Sequence, residues 1–141
     1  VGWAEPLGIS NGPLSVGTEI YFHRQTVARS HGGRDIDMIT VTKGRHAVGP
    51  DSKFEKLPES VIKALRKRGV HPTTPALEFM DRPVCFLSGR VHPGETSGQF
   101  ATNGFLQFIV SDDPRAAQLR SRFVFKVVPM LNPDGVAWGH S

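Results

Sequence analysis

Two short apolar runs, with helical periodicity between them, constrain this chain more than any other feature of its sequence. The first is Val84-Cys85-Phe86-Leu87, inside a segment from Pro83 to Ser88, and the second runs from Phe123 to Met130. Both have strand length and neither alternates apolar with polar, so each reads as a buried strand in a sheet covered on both faces. Between them, in the segment from Glu95 to Val110, Ala101, Phe105, Phe108 and Ile109 recur at helical spacing and should face the sheet. Asp112-Asp113-Pro114 then sets a capping carboxylate before a first-turn proline, which predicts a second helix through about Arg122. Strand, helix, helix, strand is the order of an α/β unit. The two strands should therefore be parallel, joined by a right-handed crossover.

The remainder is rich in turns, with 15 glycines and 11 prolines. Residues 1–20 read as an irregular lead-in. Tyr21 to Ala28 suits either a short helix or an extended segment. Ser30-His31-Gly32-Gly33-Arg34 reads as a turn, and Asp35 to Thr42, with Ile36, Met38, Ile39 and Val41, as a strand. Residues 43–80 look like an insertion between strands. They hold polar loops around a helix that starts near Pro58 and Glu59, carries Val61, Ile62 and Leu65 on one face, and ends at Gly69. Leu131-Asn132-Pro133-Asp134-Gly135 reads as a turn.

The formal charge is +4, and Lys63, Arg66, Lys67 and Arg68 form its one cluster. That cluster suits a solvated helix face, or steering toward an acidic polymer. No nucleic-acid-binding motif accompanies it. The single cysteine, Cys85, excludes an internal disulfide and reads as a buried thiol, for which a reducing compartment is the natural setting. No run of eighteen apolar residues is present to span a membrane as a helix. Val1-Gly2-Trp3-Ala4-Glu5 lacks the charged and apolar regions of a signal peptide, and a valine start is expected of a cropped chain.

Chemistry concentrates in Ser88-Gly89-Arg90-Val91-His92-Pro93-Gly94-Glu95-Thr96, where a strand ends and a helix begins. Ligands of such sheets gather beyond the carboxyl ends of the strands. His92 and Glu95 stand three apart across a Pro-Gly turn, a spacing that lets an imidazole nitrogen and a carboxylate converge on one ion. Zinc takes both donor types, and a catalytic zinc uses three protein ligands and an open position, so the pair supplies two of three. Taken alone, His-x-x-Glu is a common chance pair and Asn-Pro-Asp-Gly an ordinary turn. The order and separation of the two are far more specific than either.

The pairing of His92-Pro93-Gly94-Glu95-Thr96 with Asn132-Pro133-Asp134-Gly135 resembles the zinc metallocarboxypeptidases related to pancreatic carboxypeptidase. Arg90-Val91, Asn103-Gly104-Phe105-Leu106, Asp112-Asp113-Pro114-Arg115-Ala116, Phe123-Val124-Phe125-Lys126 and Met130 through Val136 are similar to the cytosolic carboxypeptidase branch. The likeness is dense over residues 82–141 and thinner over Tyr21 to Thr42. Ser97-Gly98 stands where relatives usually carry Pro-Ser or a similar pair.

The resemblance implies a three-layer α/β/α carboxypeptidase (phosphorylase/hydrolase-like) fold with a mixed, partly parallel sheet, of which residues 21–141 are the N-terminal portion. It implies zinc held by His92, Glu95 and a histidine beyond this chain, activating water to attack the last peptide bond. The general base and the arginines that hold the oxyanion and the terminal carboxylate also lie downstream. His140 is too near the Asn-Pro-Asp-Gly segment to be the third ligand, and His23, His31, His46 and His71 have no counterpart role. In this branch the residue released is glutamate, from the C-termini or side-chain branches of glutamate-rich proteins such as tubulin. The setting implied is cytoplasmic, with microtubule or nuclear association, and no nucleic acid or membrane as partner. The alternatives are a non-catalytic fragment or module that binds acidic tails by charge, and a zinc acylase of the same superfamily. Asn-Pro-Asp-Gly in place of Asn-Pro-x-Ala argues against the acylase.

Overall fold

The structure is a computed structural model that describes residues 20–44, 76, 79 and 81–140. Tyr21 to Ala28, which the sequence leaves open, is extended: β1 (Ile20–Arg29) pairs antiparallel with β2 (Asp35–Lys43), with a register shift between Thr26 and Ala28. The turn from Ser30 to Arg34 closes this hairpin. Gly33 sits at φ 77°, a left-handed conformation open to glycine, and its N–H donates to the Ser30 carbonyl at 3.0 Å. β3 (Val84–Ser88) and β4 (Val124–Val128) form the expected parallel pair. β4 also pairs antiparallel with β2, which gives one mixed sheet in the order β1-β2-β4-β3.

One face of the sheet carries the core. Phe22, Ile39 and Val41 from the hairpin and Phe125 and Val127 from β4 meet Leu106 and Ile109 from α1 (Thr96–Ile109). Burial of each such side chain contributes about 1.5–3 kcal/mol. The buried stripe of α1 is Thr102, Leu106 and Ile109, with Phe105 half-buried and edge-on to Phe125 at a 5.4 Å ring separation. The expected face is therefore rotated. Ala101 is exposed, because Thr102 takes the inner position and donates its hydroxyl to the Gly98 carbonyl at 2.8 Å. That bond lets a polar residue stand where an apolar one is sought. Phe108 is half-buried, with the Arg115 guanidinium 5.7 Å from its ring centre.

The helix expected after Asp113 is α2 (Pro114–Arg122). Asp113 caps it, accepting from the Arg115 N–H at 2.8 Å. Arg120 points back into the protein, 3% exposed, and its Nη1 donates to the Ile109 and Ser111 carbonyls at 2.7 and 2.9 Å. A buried cation thus satisfies carbonyls at the C-terminal end of α1, where the helix dipole favours positive charge.

The reading of Pro83 to Ser88 as a buried strand needs correction. β3 has a single neighbour in the described sheet, and its burial alternates: Cys85 and Leu87 turn toward the core, while Val84 and Phe86 are 59% and 62% exposed. Cys85 is accordingly half-buried. The lead-in and most of the 43–80 insertion, its expected helix and its basic cluster included, lie outside the described residues. Phe79 is described, and it packs edge-on to Tyr21 at 5.1 Å.

Candidate active site

Beyond the ends of β3 and β4 the two chains keep pairing. Gly89 donates to the Val128 carbonyl at 2.9 Å, Leu131 to the Gly89 carbonyl at 2.9 Å and Asn132 to the Arg90 carbonyl at 3.0 Å. These bonds hold the His92 segment and the Asn132 segment side by side. Position 89 requires glycine, since an added Cβ would stand 2.9 Å from both the Pro129 carbonyl oxygen and Thr102 Oγ1. The chain then turns through Arg90 at φ 54°, the one non-glycine residue with positive φ among the described residues. That conformation costs about 1–2 kcal/mol for a residue with a Cβ. The Arg90 Nε is buried without a hydrogen-bond partner among the described residues.

After Arg90 a tight turn leads into α1, with Glu95 N–H donating to the His92 carbonyl at 3.2 Å and Thr96 N–H to the Gly94 carbonyl at 2.8 Å. It brings the two candidate ligands together: His92 Nδ1 lies 2.8 Å from Glu95 Oε1, and the His92 N–H donates to Glu95 Oε2 at 3.3 Å. Both side chains are open to solvent. The contact with the imidazole, followed by the backbone bond from His92, lowers the Glu95 pKa, so the carboxylate is ionised at neutral pH. A carboxylate and an imidazole nitrogen facing each other are donors of the kind zinc takes, and they fit as part of its ligand set. Among the described residues no third His, Cys, Asp or Glu completes a metal-holding group. His23 stacks on Tyr21 in β1, His31 is in the exposed hairpin turn and His140 lies beside Trp138. His46 and His71 fall outside the described residues.

The Asn-Pro-Asp-Gly segment, read above as a turn, opens a helix, α3 (Pro133–Trp138). Asn132 Oδ1 accepts from the Gly135 N–H at 3.0 Å, Pro133 begins the first turn and Gly139 ends the helix at φ 71°. An Asn cap, a first-turn Pro and a glycine stop are helix signals, and here they outweigh turn chemistry. Asp134 is the site residue that sequence reasoning missed. It is 8% exposed, and it accepts from Ser30 Oγ at 2.8 Å, the Gly32 N–H at 2.7 Å and Arg34 Nη1 at 2.8 Å. The Gly32 N–H first, then Ser30 and Arg34, hold its carboxyl below the usual range. The next residue, Gly135, is buried against the Pro93 ring.

A mixed sheet whose parallel strands end in a His-x-x-Glu loop, braced by a capped Asn-Pro-Asp-Gly helix, is the pattern of a metallopeptidase domain. Residues 19–141 match the family described as zinc carboxypeptidase, and the chain belongs to that family. It is 44% identical over 123 residues to cytosolic carboxypeptidase-like protein 5 of Bos taurus, a match covering 86% of this chain and 13% of that protein. Against cytosolic carboxypeptidase 1 of Danio rerio it is 35% identical over 122 residues, covering 86% of this chain and 9% of the relative. The cytosolic branch expected from the sequence is thus the branch these relatives carry in their names. A metallo-carboxypeptidase from Burkholderia cenocepacia shares the fold at a TM-score of 0.56 and 21% identity, over 84% of this chain and 24% of that one. The chain therefore spans a small part of the length of the relatives it matches.

Proposed function

We propose that the full-length protein is a zinc-dependent metallocarboxypeptidase of the cytoplasm. In this reading it removes glutamates from protein C-termini or side-chain branches, with tubulin among its substrates. The observation that supports this most is the convergence of His92 Nδ1 and Glu95 Oε1 beyond the carboxyl ends of parallel strands, in a chain of the zinc carboxypeptidase family. The Pro-Gly turn between them presents an imidazole and an ionised carboxylate to one point in solvent. Their backbones are held by the pairing of Gly89 and Arg90 with Leu131 and Asn132. Bound zinc would supply Lewis-acid chemistry at the scissile carbonyl and water. This chain's part is to supply two ligands and their orientation. The third ligand, the base and the substrate-holding arginines belong to the remainder of the polypeptide. The preference for glutamate and the cytoplasmic setting rest on the names of the relatives and on the resemblance set out above.

The test follows free glutamate from a peptide ending in polyglutamate. The full-length protein is expected to release it in a chelator-sensitive manner, and His92→Ala or Glu95→Gln to abolish release together with metal content. The isolated 141-residue chain is expected to release none, since a general base alone is typically worth roughly 10²–10⁴-fold. Full-length protein without zinc but still retaining acidic peptides would support the charge-binding module instead. Chelator-sensitive release by the isolated chain would show the third ligand misassigned, with His140 or an upstream histidine the first suspect.

A further inference from the structure

We propose that Asp134, together with the Ser30–Arg34 turn it grips, is a positioning clamp for the His92–Glu95 loop. The clamp sets the affinity of that loop for a divalent metal without touching the ion. The inference rests on the reading of His92 and Glu95 as ligands. Its basis is a continuous line of contacts. Ser30 Oγ, the Gly32 N–H and Arg34 Nη1 all donate to one buried carboxylate across about a hundred residues of sequence. The fit is close: a Cβ at Gly32 would lie 2.5 Å from Asp134 Oδ1 and 2.6 Å from Arg34 Nη1. Arg34 also lies over the Trp138 ring of α3 at 5.6 Å, so the turn meets that helix twice.

From Asp134 the line passes to Gly135, where an added Cβ would overlap the Pro93 ring. Pro93 stands inside the loop, directly after His92. Its fixed φ leaves it little freedom to absorb a shift of α3, so displacement passes to the residues on either side. A carboxylate that ties one turn to a helix would need nothing more if its role were the hairpin alone. Here the tied helix is in contact with the candidate ligand loop, and its first turn is capped by Asn132, whose N–H is bonded to the Arg90 carbonyl. Groups hydrogen-bonded directly to a metal's ligands tune its affinity by roughly 10–100-fold. Asp134 acts one step further out, through the backbone that carries His92, so the lower end of that range applies.

The experiment uses full-length protein, wild type and as Asp134→Asn, Arg34→Ala and the double variant. Asp113→Ala, at the remote cap of α2, serves as a destabilised control. Two quantities are read. One is the cobalt(II) dissociation constant by chelator competition, with the visible spectrum of the bound ion. The other is amide hydrogen exchange of residues 91–96 in metal-free protein. Asp134→Asn is expected to weaken cobalt about 10-fold, to alter the spectrum and to speed exchange in the loop. Arg34→Ala should do the same to a smaller degree, and the double variant should be no worse than Asp134→Asn alone. Loop exchange and cobalt affinity unchanged in Asp134→Asn, or changed no more than in the α2 control, would overturn the clamp. Faster loop exchange in Asp134→Asn, in a protein whose wild type takes no cobalt, would sink the metal reading and leave the positioning role standing.

Discussion

Two helical glycines give a paired test of the packing that seats the loop. Gly104 lies in the exposed part of α1 with nothing within 4 Å of an added Cβ. Gly135 lies in the first turn of α3 with Pro93 Cγ in the path of that Cβ and Asn132 Nδ2 and Oδ1 at 3.0 and 3.1 Å. Neither has a positive φ, so alanine suits both backbones. Gly104→Ala should therefore stabilise by up to about 1 kcal/mol, the helix-propensity difference. Gly135→Ala gains no more than that and meets overpacking worth about 1–3 kcal/mol. The pair should differ by about 1–3 kcal/mol, or roughly 3–10 °C in midpoint. Urea unfolding and thermal unfolding, each followed by circular dichroism, measure the two quantities. Adding Pro93→Ala to Gly135→Ala removes the nearest obstructing atom and should recover most of the loss, a coupling that a double-mutant cycle reports. An unfolding midpoint for Gly135→Ala equal to that of Gly104→Ala, or no recovery in the double variant, would refute the reasoning.

Leu106→Ala, at a position 1% exposed, should cost about 2–5 kcal/mol, whereas Ala101→Ser on the outer face should fall within about 0.5 kcal/mol of wild type. If urea unfolding ranks them the other way, α1 is rotated from the face described. Arg90→Gly removes a left-handed Cβ penalty of about 1–2 kcal/mol and adds unfolded-state freedom of about 0.5–1 kcal/mol. It should be neutral to mildly stabilising, and a large loss of stability would mean that the guanidinium has a partner. The bond and ion pair with Arg115 lower the Asp113 pKa from 3.8 to about 2. Because the folded value is the lower, this contribution is complete above about pH 4 and is lost as pH falls toward about 2. Asp113→Asn should flatten the stability slope in that window, and an unchanged slope would show that the pair does not form in solution.

The parallel pair, α2 with its cap and the boundaries of α1 were legible because each leaves a local mark: an apolar run, an Asp before Pro, a period near 3.6. What stayed hidden depended on partners. Tyr21 to Ala28 has no periodicity of its own, and β2 makes it a strand. Thr102 looks polar in a list and is inside because its hydroxyl bonds within the helix. Val84 and Phe86 look like core and are exposed because they stand on the sheet face opposite Cys85 and Leu87, which is open over β3 among the described residues. At the site, the convergence of His92 and Glu95 followed from a three-residue spacing across a turn. The reach of Asp134 to Ser30, Gly32 and Arg34 spans 100–104 residues of sequence, and no local pattern announces it.

The strand order has a consequence for how the chain is made. β4 is the last of the four described strands in chain order and takes the place between β2 and β3. The β1–β2 hairpin can close on its own as it leaves the ribosome. β3 must wait for its neighbour while about 40 further residues are added, roughly 2–8 s at 5–20 residues per second. Through that interval Val84 to Ser88 is an unpaired apolar strand, the kind of segment that nascent-chain chaperones hold and that pairs wrongly when it is not held. The His92–Glu95 loop is already made by then but has nothing to seat against until α3 emerges, so it is among the last parts of this region to take its final shape.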